Sequence, residues 1–481
     1  MQEKSKQGIY SDESKLCFKE MILHYVRIGD ILLIAKMNNE SKQIYDAAFE
    51  MCNSMIHRIP SNDKSLIIYR NELITMLKRK VLPCIDRIQS ITITQDYEQD
   101  TKYTKVYVKW VNDLNGKELF SKEEFSPGDI LLTEEPIVSQ RHINDDSIIE
   151  TCERCMKSLN INSLRCACEI ICDNQQSSDS MFQLLAQHEK QYPPGIQVCI
   201  CDCGAKYCSD TCKKLAWEQY HNVMCDSEVL EELVQLSKSL GRNNPVLICK
   251  MMACCVSTAL STWNMDEQDD DEESILKEST YLFDRFVQNE ERHGGDVGVV
   301  EVIKKMFYKK TFKSLTKKSM SFCNIMDEII TLSRYRNMNG LILRNACTII
   351  PVSQFHVFLQ SINPSQFVID ELSRILVNSC GHDLTYLLSH PKLQDRLSVV
   401  GFGPFAIHNC CNHSCDSNCA SVSNLLDHRV RLIATKSIHK DSAISISYIG
   451  NDCLLSKQER QSQLLEKYDF QCLCTKCQNK P

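Results

Sequence analysis

Apolar residues recur at helical spacing through residues 1 to about 95. Phe18, Met21, Ile22 and Tyr25 fall three and four apart, and Ala47, Ala48, Met51, Met55 and Ile56 repeat the pattern. Pro60 with Ser61-Asn62-Asp63 interrupts it. Asn62 or Asp63 can cap a further helix through Leu66, Tyr69, Leu73 and Leu77. From about residue 103 the period shortens to that of a strand. Val106, Val108 and Trp110 alternate with Tyr107 and Lys109. Asn115-Gly116 and Pro127-Gly128-Asp129 are turn signals, the second leading into Ile130-Leu131-Leu132. Strand-like alternation returns at Val430 to Ile433 and at Ile444 to Tyr448. Between the two β regions lie a cysteine cluster and a stretch from about 227 to 395 that reads as helical. Its Met and Leu stripes are expected in the core, and the acidic run Asp266 to Glu273 in a solvated loop. The pattern is that of one β domain split by insertions, an α+β chain.

Composition adds one anomaly. The chain has 481 residues, 43% apolar and 24% charged, with a net charge of −7. That is an ordinary globular balance, with room for about three domains. It gives no global pull toward nucleic acid. The lysines from Lys304 to Lys318 read as a solvated helix face, with few aromatic residues for base stacking. The anomaly is 28 cysteines. The start, Met1-Gln2-Glu3-Lys4-Ser5-Lys6, is charged, with no apolar segment behind it, so no signal peptide is expected. The longest apolar run, Val246 to Leu260, is broken by Lys250 and falls short of the ~20 residues of a membrane span. In a soluble, reducing compartment, clustered cysteines are metal thiolates before they are disulfides.

The first cluster comprises Cys152, Cys155, Cys199, Cys201, Cys203, Cys208, Cys212, His221 and Cys225. Zinc takes four thiolate or imidazole ligands at tetrahedral corners. Cys208-x3-Cys212 and His221-x3-Cys225 would set ligand pairs one helical turn apart on one face. Eight of these nine would make two zinc sites, and metal binding would supply the folding free energy of so small a block. Cys166, Cys168, Cys172 and His188 could hold a further zinc, although leftover thiols are the simpler account. The run Tyr207-Cys208-Ser209-x2-Cys212-x4-Trp217-x3-His221-x3-Cys225 resembles a MYND zinc finger. The resemblance implies interlaced sites. Cys152, Cys155, Cys208 and Cys212 would hold one ion. Cys203, His221, Cys225 and either Cys199 or Cys201 would hold the other, because Ile200 stands where the family has a cysteine.

A second constellation runs from Gly401-Phe402-Gly403-Pro404-Phe405 through Cys410-Cys411-Asn412-His413-Ser414-Cys415-x2-Asn418 and Ile446-Ser447-Tyr448 to Tyr468-x-Phe470-x-Cys472-x-Cys474-x2-Cys477. Cys472, Cys474 and Cys477 lack a fourth ligand, which Cys415 could supply from afar. Together these pieces resemble a SET-domain lysine methyltransferase with its post-SET zinc. A SET domain split by a MYND finger defines the SET–MYND (SMYD) family, and this chain looks most like its fifth-member branch. The resemblance implies a split SET β-fold, with the first part at 101–150 and the second at 399–455. It implies an inserted MYND finger at 152–225, a helical insert at 226–398 and a post-SET zinc tail at 456–481. Residues 1–100, a helical N-terminal extension, lie outside the branch's usual pattern.

By the same resemblance the cofactors are S-adenosylmethionine and about three zinc ions. Tyr448 and Tyr468 are the catalytic tyrosines. Tyr448 orients the donor and Tyr468 lines the lysine channel. Phe470 packs on the adenine, Asn412 and His413 contact the donor, Gly116, Lys117 and Leu119 form its first loop, and Asn345 adds a polar contact. Glu118 replaces the loop's second glycine. A protonated lysine cannot attack a sulfonium, so the channel must favour the neutral amine. The expected activity is methyl transfer to lysines of histones or other proteins. The alternative is a MYND adaptor with a weak or inactive SET domain. Proline-rich peptides are the expected finger partners. Neither a membrane nor direct nucleic-acid contact is expected, and the expected location is cytoplasm and nucleus.

Overall fold

The computed structural model describes residues 12–34, 38–59, 64–77, 81, 97, 100–112, 116–143, 149–159, 168–169, 172, 174–187, 196–263, 272–286, 290–311, 320–352, 366–380, 399–423, 425–450 and 455–478. The architecture is mixed α+β, in two compact units. The first comprises residues 1–131, 410–419 and 434–446, and the second 132–409, 420–433 and 447–481.

The first unit opens with helices Asp12–Ile34, Asn38–Arg58 and Lys64–Met76. They share a core of Ile22, Val26, Tyr45, Ala48, Cys52, Ile56, Tyr69 and Leu73. The buried line of the second helix thus runs through Tyr45, Ala48, Cys52 and Ile56. Ala47, Met51 and Met55, which share the helical spacing, lie at its border, and Met21 is exposed. The apolar stripe is broad, so its centre is set by packing rather than by the sequence period alone. Pro60, Asn62 and Asp63 lie outside the described residues.

The unit's sheet has the order Val106–Asn112, Gly116–Ser121, Ala443–Ile446, Asn412–His413. Its first two strands form an antiparallel hairpin with Val108 opposite Leu119 and Trp110 opposite Lys117. The third strand joins through Ala443 opposite Phe120 and Ile444 opposite Leu119. The fourth runs parallel, Ser445 opposite Asn412. Two stretches far apart in sequence therefore complete one sheet. Asn418 pins it, donating to the Ala443 carbonyl at 2.9 Å and accepting from the Ser445 amide at 2.9 Å.

The second unit is built around helix Asn244–Thr262, whose residues from Pro245 to Ser257 are all buried. Around it pack helices Ser227–Ser239, Glu272–Asp284, Asp296–Thr311, Met320–Ile329 and Leu332–Asn345. The central helix, at 19 residues, is long and apolar enough to cross a membrane, and 78% of its most apolar window is buried inside the protein. The helical expectation for 227–395 fails at Cys347–Ile349, a strand. This segment follows a helix end and carries the β-branched pair Thr348-Ile349. It pairs with Gly401–Gly403, which also pairs with Gln140–Arg141. Gly403 is required there, because a Cβ would stand 2.3 Å from the Val138 carbonyl oxygen. A second three-stranded sheet, Cys419–Val422, Val430–Ala434 and Ile130–Glu134, falls largely in this unit. The acidic run ends in helix rather than loop, since Glu272 and Glu273 open helix Glu272–Asp284, where the helix dipole favours negative charge. In the 304–318 stretch Lys304 pairs with Asp327, Lys305 with Glu232, and Lys309 with Asp226 and Glu228.

Candidate functional site

Two metal-ligand groups assemble in the second unit. In one, the sulfurs of Cys152, Cys155, Cys208 and Cys212 all lie within 4.8 Å of one another. Ser209 caps helix Asp210–Ala216, its hydroxyl accepting from the Cys212 amide. Cys208 therefore stands just before the helix, and not on its face as the x3 spacing suggested. The Cys208–Cys212 sulfur separation is 3.5 Å. Such a set ionises fully only beside a cation. Hydrogen bonds from Cys155 and Cys208 lower Cys152, while contacts with Cys152, Cys208 and Cys212 push Cys155 up. A divalent ion resolves this conflict, which is the donor chemistry of a structural zinc site.

The other group is Cys201, Cys203, His221 and Cys225. Cys203 sulfur lies 3.3 Å from His221 Nε2, and Cys201 sulfur 3.7 Å from that of Cys225. Burial lowers His221 to about 4 and so keeps it as the neutral, ligating imidazole. The ring sits among Tyr207, Trp217 and Tyr220 on a five-residue π turn, Trp217–His221. Cys225 caps the short helix that follows, so His221 and Cys225 do not share one regular α-turn. The choice between Cys199 and Cys201 falls to Cys201. Cys199 is outside the group, its sulfur facing the Gln197 carbonyl at 3.9 Å, with Asp210 raising its thiol. The reason is a tight turn in which the Gly204 amide donates to the Cys201 carbonyl and the Cys201 amide to that of Ala205, drawing Cys201 inward beside Cys203. Cys168 and Cys172 are buried, with the Cys172 thiol 3.7 Å from Met181 sulfur, while Cys166 and His188 lie outside the described residues.

A third cysteine-rich group follows helix Lys457–Tyr468 in the second unit, with the sulfurs of Cys472, Cys474 and Cys477 within 4.8 Å of one another. The helix positions them. Gln461 donates to the Cys472 carbonyl at 2.7 Å and accepts from its amide at 3.0 Å, and the Arg460 guanidinium donates to Cys477 sulfur at 3.6 Å. Cys415 is buried in the first unit, 3.2 Å from His413 Nε2. The His413 ring thus faces a sulfur.

Where that helix ends, three half-buried rings gather. Centroid separations are 5.0 Å for Tyr448 and Tyr468, 6.5 Å for Tyr448 and Phe470, and 6.4 Å for Tyr468 and Phe470. Asp469, at φ 60°, caps the helix in a left-handed turn, setting Phe470 against the tyrosines. The Tyr468 hydroxyl donates to the Tyr448 carbonyl at 3.4 Å. Burial, then Cys347, raises its phenol, so it stays protonated at neutral pH. Such a trio presents ring faces that attract a cation. Asn345, at a helix end, donates its amide to the Leu341 carbonyl and accepts the Asn409 amide on its own carbonyl at 2.6 Å. This belongs to a chain that the sequence did not reveal. Cys347 sulfur lies 3.2 Å from His408 Nδ1, His408 Nε2 lies 2.8 Å from the Ser421 hydroxyl, and the Glu134 carboxylate accepts the amides of Ile407 and His408. Single polar residues without a repeating spacing carry no such signal.

In the first unit the hairpin presents Gly116, Lys117 and Leu119. Gly116 has φ +66°, a conformation that suits glycine. Strand alternation sets Lys117 on the side of fully buried Leu119, opposite Trp110. Glu118 takes the other side, opposite Lys109. The Trp110 indole N–H is buried without an acceptor among the described residues. Asn412 and His413 occupy the short parallel strand of the same sheet.

No family model matches the chain. The Danio rerio protein named protein-lysine N-trimethyltransferase SMYD5 is 24% identical over 393 residues, which is 77% of this chain and 86% of its own length. The Homo sapiens protein of that name is 22% identical over 405 residues, with the same two coverages of 77% and 86%. SET domain and MYND-type zinc finger protein 6 of Schizosaccharomyces pombe is 46% identical over 68 residues, 14% of this chain and 13% of its own length. The SMYD5 relatives are named protein-lysine methyltransferases and support that enzyme class.

Proposed function

Because this chain resembles the SMYD proteins, and SMYD5 over most of its length, we propose that it is an S-adenosylmethionine-dependent protein-lysine N-methyltransferase acting on lysines of histones or other proteins. One observation carries the reading: the trio Tyr448, Tyr468 and Phe470, in a chain that matches SMYD5 over 77% of its length. S-adenosylmethionine, when bound, supplies a methyl group on a positively charged sulfur. The chain's residues do the rest. Tyr448 orients the reacting groups, and protonated Tyr468 lines the lysine channel. Phe470 packs on the adenine. Gly116, Lys117, Leu119, Asn345, Asn412 and His413 hold the donor. The Trp110 N–H, which needs an acceptor, fits a polar ligand beside the hairpin. An apolar channel favours the neutral substrate amine, and in-line positioning removes on the order of 7 kcal/mol of the barrier.

In this reading 101–150 and 399–455 form the split SET domain, 152–225 the MYND finger, 226–398 the helical insert, 456–481 the post-SET tail and 1–100 the extension. Three zinc ions bind, with Cys415 the fourth ligand of the tail site. The finger's exposed Ile200, Leu215 and Trp217 suit a proline-rich peptide. The enzyme works in cytoplasm and nucleus. The adaptor alternative draws on Glu118, but strand alternation sets that side chain on the face away from Lys117 and Leu119.

Calorimetric titration with S-adenosylhomocysteine tests the reading. Wild type should bind in the micromolar range. Tyr448→Phe should retain binding while its methyl transfer to protein falls by on the order of a hundredfold. No binding by wild type would favour the adaptor.

A further inference from the structure

Helix Lys457–Tyr468 ends on Tyr468 and grips, from its first turns, the cysteine segment that follows it. A capping box fixes its start: the Ser456 hydroxyl accepts from the Glu459 amide, and the Glu459 carboxylate accepts from the Ser456 amide at 2.7 Å. Gln461 takes both backbone groups of Cys472. Its neighbour Arg460 reaches the far end of the segment. Arg460 Nη2 donates to Cys477 sulfur at 3.6 Å, and Nη1 to the Leu455 carbonyl at 2.7 Å. Arg460 is only 4% exposed and Cys477 3%. A guanidinium keeps its charge at any pH a folded protein meets, and a buried charge is costly unless anionic groups lie close. A neutral thiol is a weak acceptor, whereas a metal-bound thiolate is a strong one.

We propose that Arg460 belongs to the metal site of the tail, where its guanidinium donates to the Cys477 thiolate and compensates the negative charge of the ligand set. The proposal rests on the reading of Cys472, Cys474 and Cys477 as zinc ligands. Three thiolates around a divalent ion leave a net negative charge, and any fourth thiolate adds to it. Such a charge is costly to bury alone. Without the ion, the guanidinium lies buried with less negative charge before it. Removing Arg460 therefore relieves the metal-free state and burdens the metal-bound one, and both changes weaken metal binding. The hydrogen bond also fixes the direction of the Cys477 sulfur, as outer partners of metal ligands do. Because the same helix ends on Tyr468, the ion that Arg460 helps to retain also steadies the turn that sets Phe470 against the tyrosines.

Chelator competition on the full-length chain tests this, with zinc content followed in wild type, Arg460→Gln, Arg460→Lys and Cys477→Ser. Wild type should hold about three zinc ions, and Cys477→Ser should lack one, which marks the tail ion. Arg460→Gln keeps an N–H donor and deletes the charge, and it should lower the affinity for that ion by about tenfold or more. Arg460→Lys keeps the charge and should recover most of the loss. The finger ions should be released as in wild type, and helical circular dichroism at full zinc should be unchanged. Equal weakening by Gln and Lys would show that side-chain shape alone matters and would overturn the proposal, as would wild-type affinity in Arg460→Gln. Wild type and Cys477→Ser with the same zinc content would overturn the reading of the tail as a zinc site, and this proposal with it.

Discussion

The cysteine-rich finger and the helix at the centre of the second unit hold similar residues by opposite means. The finger's described regular pieces are a twelve-residue helix, Gln175–Ala186, two two-residue strands, a seven-residue helix, a five-residue π turn and a three-residue helix. None is long enough to persist alone. Its thiols converge in groups of ligand spacing. Helix Asn244–Thr262 also carries cysteines, but Cys249, Cys254 and Cys255 are buried among apolar neighbours, and burial raises all three thiols. These are small hydrophobes, inert as ligands. A cysteine's role is thus set by whether others meet it, and a count of 28 says little until the sulfurs are grouped.

The comparison breaks most visibly when metal is withdrawn. Chelation, or Cys212→Ser, should unfold 152–225 while leaving the helices of the second unit folded. A structural zinc contributes an apparent 10–16 kcal/mol in peptide fingers at neutral pH, roughly the whole stability of a domain. Limited proteolysis should then cut within 152–225, with little loss of helical circular dichroism. Cooperative loss of both regions would show that the helical core leans on the finger.

The same contrast explains what could be read from the sequence. The ligand groups were legible because zinc imposes spacing: Cys152-x2-Cys155 and Cys208-x3-Cys212 come together as a set. The strands at 106 and 443 were legible because one face of each is buried, which leaves a period of two. Helix Asn244–Thr262 reads only as apolar, because a helix buried all round has no polar face. Cys201 over Cys199 was not legible. The decision lies in the backbone bonds of the 201–205 turn. Strand Cys347–Ile349 was hidden because three residues are too few to show a period, and its pairing partner, Gly401–Gly403, is distant in sequence. The polar chain through Cys347, His408 and Ser421 exists only once those segments meet.

Two buried histidines sharpen the contrast between metal-held and packing-held parts. Burial lowers both His221 and His408 to about 4, and only His221 lies in a metal group. In the unfolded chain His408 titrates near 6.5. Between the two values the unfolded state binds a proton that the folded state refuses, so stability is full above about pH 6.5 and falls as pH drops toward 4. The full shift corresponds to about 3 kcal/mol. Urea unfolding of zinc-loaded protein from pH 7 to pH 4 should show this slope, and His408→Asn should flatten it by that amount. An unchanged slope in the variant would mean that the loss arises elsewhere, with His221 and its metal the next candidate.

The smallest effect is expected where the two regions touch. Lys250, on the buried helix and only 2% exposed, pairs with Glu153 at 2.7 Å and donates to the carbonyls of Ser139 and Glu153. Its ammonium also lies 5.3 Å from the Tyr220 ring centroid. Glu153 sits inside the Cys152–Cys155 turn, so this contact reports whether the turn is formed. Lys250→Met keeps the volume and removes the charge. Glu153 is partly exposed and can rehydrate, so the cost should be about 2 kcal/mol, chiefly from the two carbonyls left without a donor. With zinc removed, the turn no longer presents Glu153, and the same substitution should be near neutral or stabilising, because an unpaired ammonium no longer has to be buried. Denaturant unfolding of both proteins with and without chelator measures the difference. An equal cost in both states would show that the turn keeps its shape without metal, and would erase the distinction between a region held by ligands and one held by apolar burial.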